Sequence, residues 1–137
     1  MKIAFCANQK DLGTLKKITM DYCRECNCRP AIDNFESRES LIEAMTKNKY
    51  SIVMVAMCKV KGMEIVKHVH RMDKNTQIIW FSDDVDFAGC AYENNVRQFS
   101  LLPISIEKLS EGLARCGIST KEANVYRIHI KADENIL

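Results

Sequence analysis

Between Ser51 and Ala56 the chain reads SIVMVA, five apolar residues in succession after one serine. A strand of that kind has both faces shielded from water, the position of a central strand in a parallel sheet with helices on either side. The apolar stretch from Ile52 to Cys58 falls far short of the roughly 18 residues that a membrane-crossing helix needs, so it reads as a buried strand.

Strand and helix patterns alternate on both sides of this run. Lys2 to Cys6 is a short apolar stretch suited to a buried strand, and Lys10 to Cys26 carries Leu12, Leu15, Ile18 and Tyr22 at helical spacing. Pro30 to Phe35 is the next strand candidate. Ser37 is placed to cap a helix with Glu39 in its first turn and Leu41, Ile42 and Met45 on one face. After SIVMVA, Gly62 opens a helix bearing Ile65, Val66 and Val69, and Thr76 to Phe81 is a fourth strand. Asp84 to Asn94 holds Phe87, Cys90 and Ala91 at helical spacing, and Arg97 to Leu101 is a fifth strand ended by Pro103. Ser105 caps a last helix with Ile106, Leu109, Leu113 and Cys116, which Gly117 stops. Five strands alternating with five helices predict an α/β domain, a parallel sheet covered on both faces with right-handed crossovers. Chemistry in such a sheet belongs at the carboxyl ends of the strands. Those ends are Cys6-Ala7-Asn8, Ala56-Met57, Ser82-Asp83 and Leu101-Leu102-Pro103.

The length of 137 residues suits one domain with a real core. With 20 Lys and Arg against 18 Asp and Glu, the net charge of +2 argues against wholesale non-specific nucleic-acid binding. Met1-Lys2-Ile3 leads straight into a strand without a secretory signal, so a cytoplasmic protein is expected. Seven cysteines are an odd number, and only five Gly and two Pro accompany them. That is unlike a small secreted disulfide scaffold; reduced, mostly buried thiols acting as small hydrophobes are expected.

Four segments resemble the response-regulator receiver domain of two-component signalling, over residues 1 to about 117. KIAFCANQKD is similar to that family's opening strand and acidic loop, and FESRESLIEAMTKNKYSIVMVA to its second helix and third strand. TQIIWFSDDVDFAGCAYENNV resembles the fourth strand and helix, and QFSLLPISIEKL the last strand, Pro-containing turn and helix. The closest branch is the one joined to LytTR-type DNA-binding domains. The resemblance implies a flavodoxin-like, doubly wound five-stranded sheet of order 2-1-3-4-5, in a domain spanning 1–117 with a tail from 118 to 137.

The positions that carry the family's chemistry depart from its pattern. Where the family has two acidic residues for Mg²⁺ after the first strand, this chain has Ala7 and Asn8. Ala56 stands at the phosphoacceptor position, and Leu102 replaces the lysine before Pro103. Ser82 keeps the hydroxyl position and Phe99 the aromatic switch position. The loop Met57 to Lys61 is about two residues shorter than the family's usual loop and lacks its proline. Aspartyl phosphorylation needs a carboxylate nucleophile and a divalent cation held by hard oxygens. Ala7, Asn8, Ala56, Ser82 and Leu102 supply neither. The expectation is a degenerate pocket that packs as core, with no phosphorylation, no metal, no cofactor and no enzymatic role.

What remains for such a domain is protein contact. The resemblance implies a surface made by the fourth helix, fifth strand and fifth helix, bearing Tyr92, Arg97, Phe99, Glu107, Lys108 and Glu111. The partner is a second copy or another protein, with no membrane. The alternative is the regulatory half of a transcription regulator whose LytTR-type DNA-binding domain is absent from this chain, DNA being reached only through that domain.

Other motifs weigh less. Cys23-x-x-Cys26-x-Cys28 has metal-like spacing, but no nearby Cys or His pair completes four ligands. His68 and His70 lie two apart on a helix, point to different faces and are expected to be solvated. Asp83 and Asp84 are at the functional edge, where helix capping explains Asp84. The basic set Lys59, Lys61, Lys67, Arg71 and Lys74 is opposed by Glu64 and Asp73 and reads as a solvated face. Val125 to Lys131 alternates, with Tyr126, Ile128 and Ile130 on one face, and predicts one extra half-buried strand.

Overall fold

The computed structural model describes residues 1–119. Along the chain run β1 (Lys2–Ala7), α1 (Gln9–Glu25), β2 (Ala31–Phe35), α2 (Arg38–Lys47), β3 (Ile52–Ala56) and α3 (Lys59–Met72). β4 (Gln77–Ser82), a 3-10 turn (Val85–Phe87), α4 (Ala88–Glu93), β5 (Val96–Leu101) and α5 (Ile106–Arg115) follow. The five strands form one parallel sheet in the order β2-β1-β3-β4-β5, the flavodoxin-like order implied by the family resemblance. The extra strand expected at Val125 to Lys131 lies outside the described residues.

β3 is closed to solvent along its whole length, as SIVMVA predicts. Its alternate side chains feed two cores. Ile52, Met54 and Ala56 join Ile3, Phe5, Phe81, Leu15, Leu109 and Leu113 beneath α1 and α5. Val53 and Val55 join Ile65, Val66, Val69, Ile78 and Trp80 beneath α2, α3 and α4. Burying each of the larger of these side chains stabilises the fold by roughly 1.5–3 kcal/mol before chain entropy is subtracted. β2, at one edge, exposes Asp33 and Asn34, polar groups that discourage further strand pairing.

Capping residues set the helix starts. Ser37 Oγ accepts from Ser40 N–H at 3.2 Å and Ser105 Oγ from Lys108 N–H at 3.2 Å, as expected for both. Asn8 caps α1 in the same way, accepting from Asp11 N–H at 2.9 Å. α1 and α5 end in matching turns. Asn27 (φ 53°) and Gly117 (φ 93°) adopt the left-handed conformation. Cys28 N–H then bonds Cys23 O at 2.8 Å, and Ile118 N–H bonds Leu113 O at 3.0 Å, the six-residue closure of a Schellman motif. Ile118 packs in the α1–α5 core and its carbonyl accepts from Tyr22 Oη at 2.6 Å, so the domain's packing runs past the boundary expected at residue 117.

Two expectations need correction. α3 begins at Lys59, a turn before Gly62, and leaves only Met57 and Cys58 between β3 and the helix. Gly62 is an interior packing position: a Cβ there would stand 2.6 Å from Met57 O and 3.0 Å from Trp80 Nε1. The helix expected over Asp84 to Asn94 divides into the 3-10 turn and the six-residue α4.

Candidate functional site

Parallel pairing gathers the strand ends. Ala7 on β1 lies opposite Ala56 on β3, and Ala56 opposite Phe81 on β4. Leu102, just past β5, donates its N–H to Ser82 O at 2.8 Å. Ala7 and Ala56 are 0% and 1% exposed, and Leu102 packs against the core they belong to. The five residues at the expected pocket are therefore brought to one edge of the sheet. There they present two methyl groups, a leucine side chain, an amide and a hydroxyl.

The polar members of that edge are spent on backbone groups. Asn8 Oδ1 is the α1 cap already described. Ser82 is fully buried and its Oγ accepts from Asp84 N–H at 3.2 Å. Asp84 caps the 3-10 turn by accepting from Asp86 N–H at 2.9 Å, as its position suggested. Asp83 Oδ1 accepts from Lys59 N–H at 2.7 Å, a role the sequence does not announce. Among the described residues no group of three or more His, Cys, Asp or Glu side chains is placed to hold a metal ion. Ala7, Asn8, Ala56, Ser82 and Leu102 include no carboxylate, the hard anionic ligand that Mg²⁺ prefers.

The surface set is mixed in character. Tyr92 is 86% exposed on α4. β5 pairs Val96 with Ile78 and Gln98 with Ile79, so Arg97 is the extra residue of a bulge and is exposed. Glu107 and Glu111 are exposed on α5, and half-buried Lys108 donates from Nζ to Leu101 O at 3.0 Å. Phe99 differs from its expected surface role: half-buried, it meets Trp80 edge to face at 5.1 Å between centroids. The bulge turns Gln98 toward α5, where Ser100 Oγ lies 3.0 Å away, Glu111 Oε2 3.4 Å away, and Arg115 donates to its carbonyl. Arg115 also pairs with Glu111 at 3.5 Å. This network fixes the geometry of the β5–α5 face and is not marked by any sequence pattern.

Trp80 is the centre of the opposite core. It stacks on Phe87 at 5.8 Å and meets Phe99, and its Nε1 is the one buried side-chain N or O atom without a hydrogen-bond partner among the described residues. The cysteines are all unpaired: Cys6 and Cys23 are buried, Cys58 is exposed and the other four are half-buried. Burial pushes the Cys6 and Cys23 thiols up to about 12 and the Cys116 thiol to about 11. His68 and His70 are half-buried rather than fully solvated. In the basic set, the opposing Glu64 carboxylate is drawn to Arg38 on α2 at 3.3 Å. No helix among the described residues is long and apolar enough to cross a membrane.

No protein-family model matches the chain, and no curated protein sequence matches it. Solved structures do. The response regulatory domain of protein mrkE from Klebsiella pneumoniae superposes with a TM-score of 0.69 at 11% identity, over 85% of this chain and 95% of that one. HP1043 of Helicobacter pylori, an orphan response regulator, gives 0.65 at 19% identity over 85% and 96%. The beryllofluoride-activated NtrC4 receiver domain dimer gives 0.66 at 13% identity over 86% and 98%. In fold, this chain matches response-regulator receiver domains.

Proposed function

We propose that the chain is a receiver module of two-component signalling that works through protein contacts and takes no phosphoryl group at the usual position. The observation that carries this reading is the buried Ala7–Ala56 pair beneath Leu102, where aspartyl phosphorylation would need a carboxylate and a cation. Without them, the domain has no catalytic role to offer. Placement in the branch joined to LytTR-type output domains is supported by the likeness of the four sequence segments alone.

The contact surface is the α4–β5–α5 face, and its first partner is a second copy of the chain. Tyr92, Leu101, Arg97 and Glu107, all exposed on these elements, supply the aromatic, apolar and charged groups that interfaces favour. A dimeric receiver among the structural neighbours adds support. Sedimentation velocity tests it: the wild type associates with rising concentration, and Tyr92→Asp or Arg97→Ala weakens association without loss of fold. A monomer at every concentration, with no effect of either substitution, overturns the assignment. Phe99 is unsuitable for this test, because its ring supports Trp80.

A further inference from the structure

The two Schellman turns differ in one respect. The motif brings a side chain three positions before the helix end against the one two positions past it, usually as an apolar contact. At the end of α5 that pair is Leu113 and Ile118, both in the core. At the end of α1 it is Cys23 and Cys28, joined by the backbone bond and packed in the same core cluster. Cys23 is fully buried, and Cys28 is half-buried. A surface depression lined by Met20, Arg24, Asn27, Cys28 and Arg29 leads to the Cys28 side of the pair. Arg29, and Arg24 beside its partner Asp21 at 3.5 Å, favour an anionic reagent there.

We propose that Cys23 and Cys28 form a reversible dithiol–disulfide site that reacts with anionic low-molecular-weight disulfides. The Cys28 thiolate attacks one sulfur of the reagent, forming a mixed disulfide and expelling one thiolate, which takes up a proton. Cys23 then gives its proton to solvent and attacks Cys28 Sγ, forming the Cys23–Cys28 bond and expelling the second thiolate. Two protein thiols are oxidised, and one reagent disulfide is reduced to two thiols. The order follows from access: of the two thiols only Cys28 lines the depression, while Cys23 is fully buried. The backbone bond from Cys28 N–H to Cys23 O already holds the two residues together, so closure calls for side-chain rotation rather than refolding.

The test treats the folded full chain with oxidised glutathione and, separately, with the cationic disulfide cystamine, followed by intact mass and peptide mapping. The expected product is a Cys23–Cys28 disulfide with loss of two hydrogens and no retained glutathione. Cys23→Ser should retain one glutathione on Cys28, and Cys28→Ser should form no bond at this helix end. Replacing Arg24 and Arg29 with Glu should slow the glutathione reaction about tenfold and spare the cystamine reaction. Modification confined to the exposed Cys58, a Cys26–Cys28 bond, or a rate indifferent to Arg24 and Arg29 would overturn the proposal. The wild-type map decides on its own, so the proposal stays testable even if a variant folds poorly.

Discussion

Asp83, one residue past β4, accepts a hydrogen bond through Oδ1 from the backbone N–H of Lys59, the first residue of α3, at 2.7 Å. Lys59 has a φ of 57°, a left-handed conformation that costs a non-glycine residue roughly 1 kcal/mol. The carboxylate holds this turn and ties the β4 end to the short β3–α3 connection. Asp83→Ala should lower unfolding free energy by about 1–2 kcal/mol, and Asp83→Asn by less because it keeps an acceptor. Lys59→Gly should leave stability unchanged or raise it. Urea unfolding of the three variants checks the order.

Gly62→Ala should be strongly destabilising, by roughly 2–4 kcal/mol, because the new methyl would meet the Met57 carbonyl at 2.6 Å and Trp80 Nε1 at 3.0 Å. Gly13→Ala serves as control. It lies in α1 with nothing within 4 Å of the added methyl, and should stabilise by up to about 1 kcal/mol.

Ala56→Asp places a carboxyl where the side chain is 1% exposed, next to Ala7 and the core under α1 and α5. At neutral pH the cost should be roughly 2–4 kcal/mol. Burial raises a carboxyl's pKa in the folded state. The penalty should therefore shrink as pH falls toward about 4, where the unfolded carboxyl also gains its proton. Thermal melts of variant and wild type across that pH range should converge at the acidic end.

The raised Cys6 and Cys23 thiols make stability fall in alkali. Each ionises near 9.0 when unfolded but near 12 when folded, burial being the main cause in both. The unfolded state loses protons first, so their contribution is complete below pH 9 and is lost as pH rises from 9 to 12. Tyr50 acts in the same sense above its ordinary value of 10.0, raised by burial and then by its hydrogen bond to Asp33. Cys6→Ala should flatten the alkaline fall by about one proton's worth of slope, measured by urea unfolding at stepped pH under reducing conditions.

Much of the fold is readable from the sequence because strand burial and helix amphipathicity have different periods. SIVMVA on β3 and the Ser37 and Ser105 caps are direct cases. The α3 start was not readable: a glycine looks like a boundary in sequence, while Gly62 is small because Met57 and Trp80 crowd it. Asn8 stands at a metal-ligand position of the family's pattern, yet its spacing to Asp11 marks a helix cap. The Asp83–Lys59 bond and the Gln98–Arg115 network join residues 24 and 17 positions apart, which no local pattern reveals. Phe99 shows the same limit, since alternation alone does not foresee a bulge at Arg97 that resets which side chains face α5.

The most direct measurement is intact-mass analysis of the chain after incubation with acetyl phosphate and Mg²⁺, beside a phosphorylatable receiver as positive control. The account predicts an unchanged mass for this chain while the control gains a phosphoryl group. A phosphoryl adduct on any residue at the carboxyl edge of the sheet would contradict it.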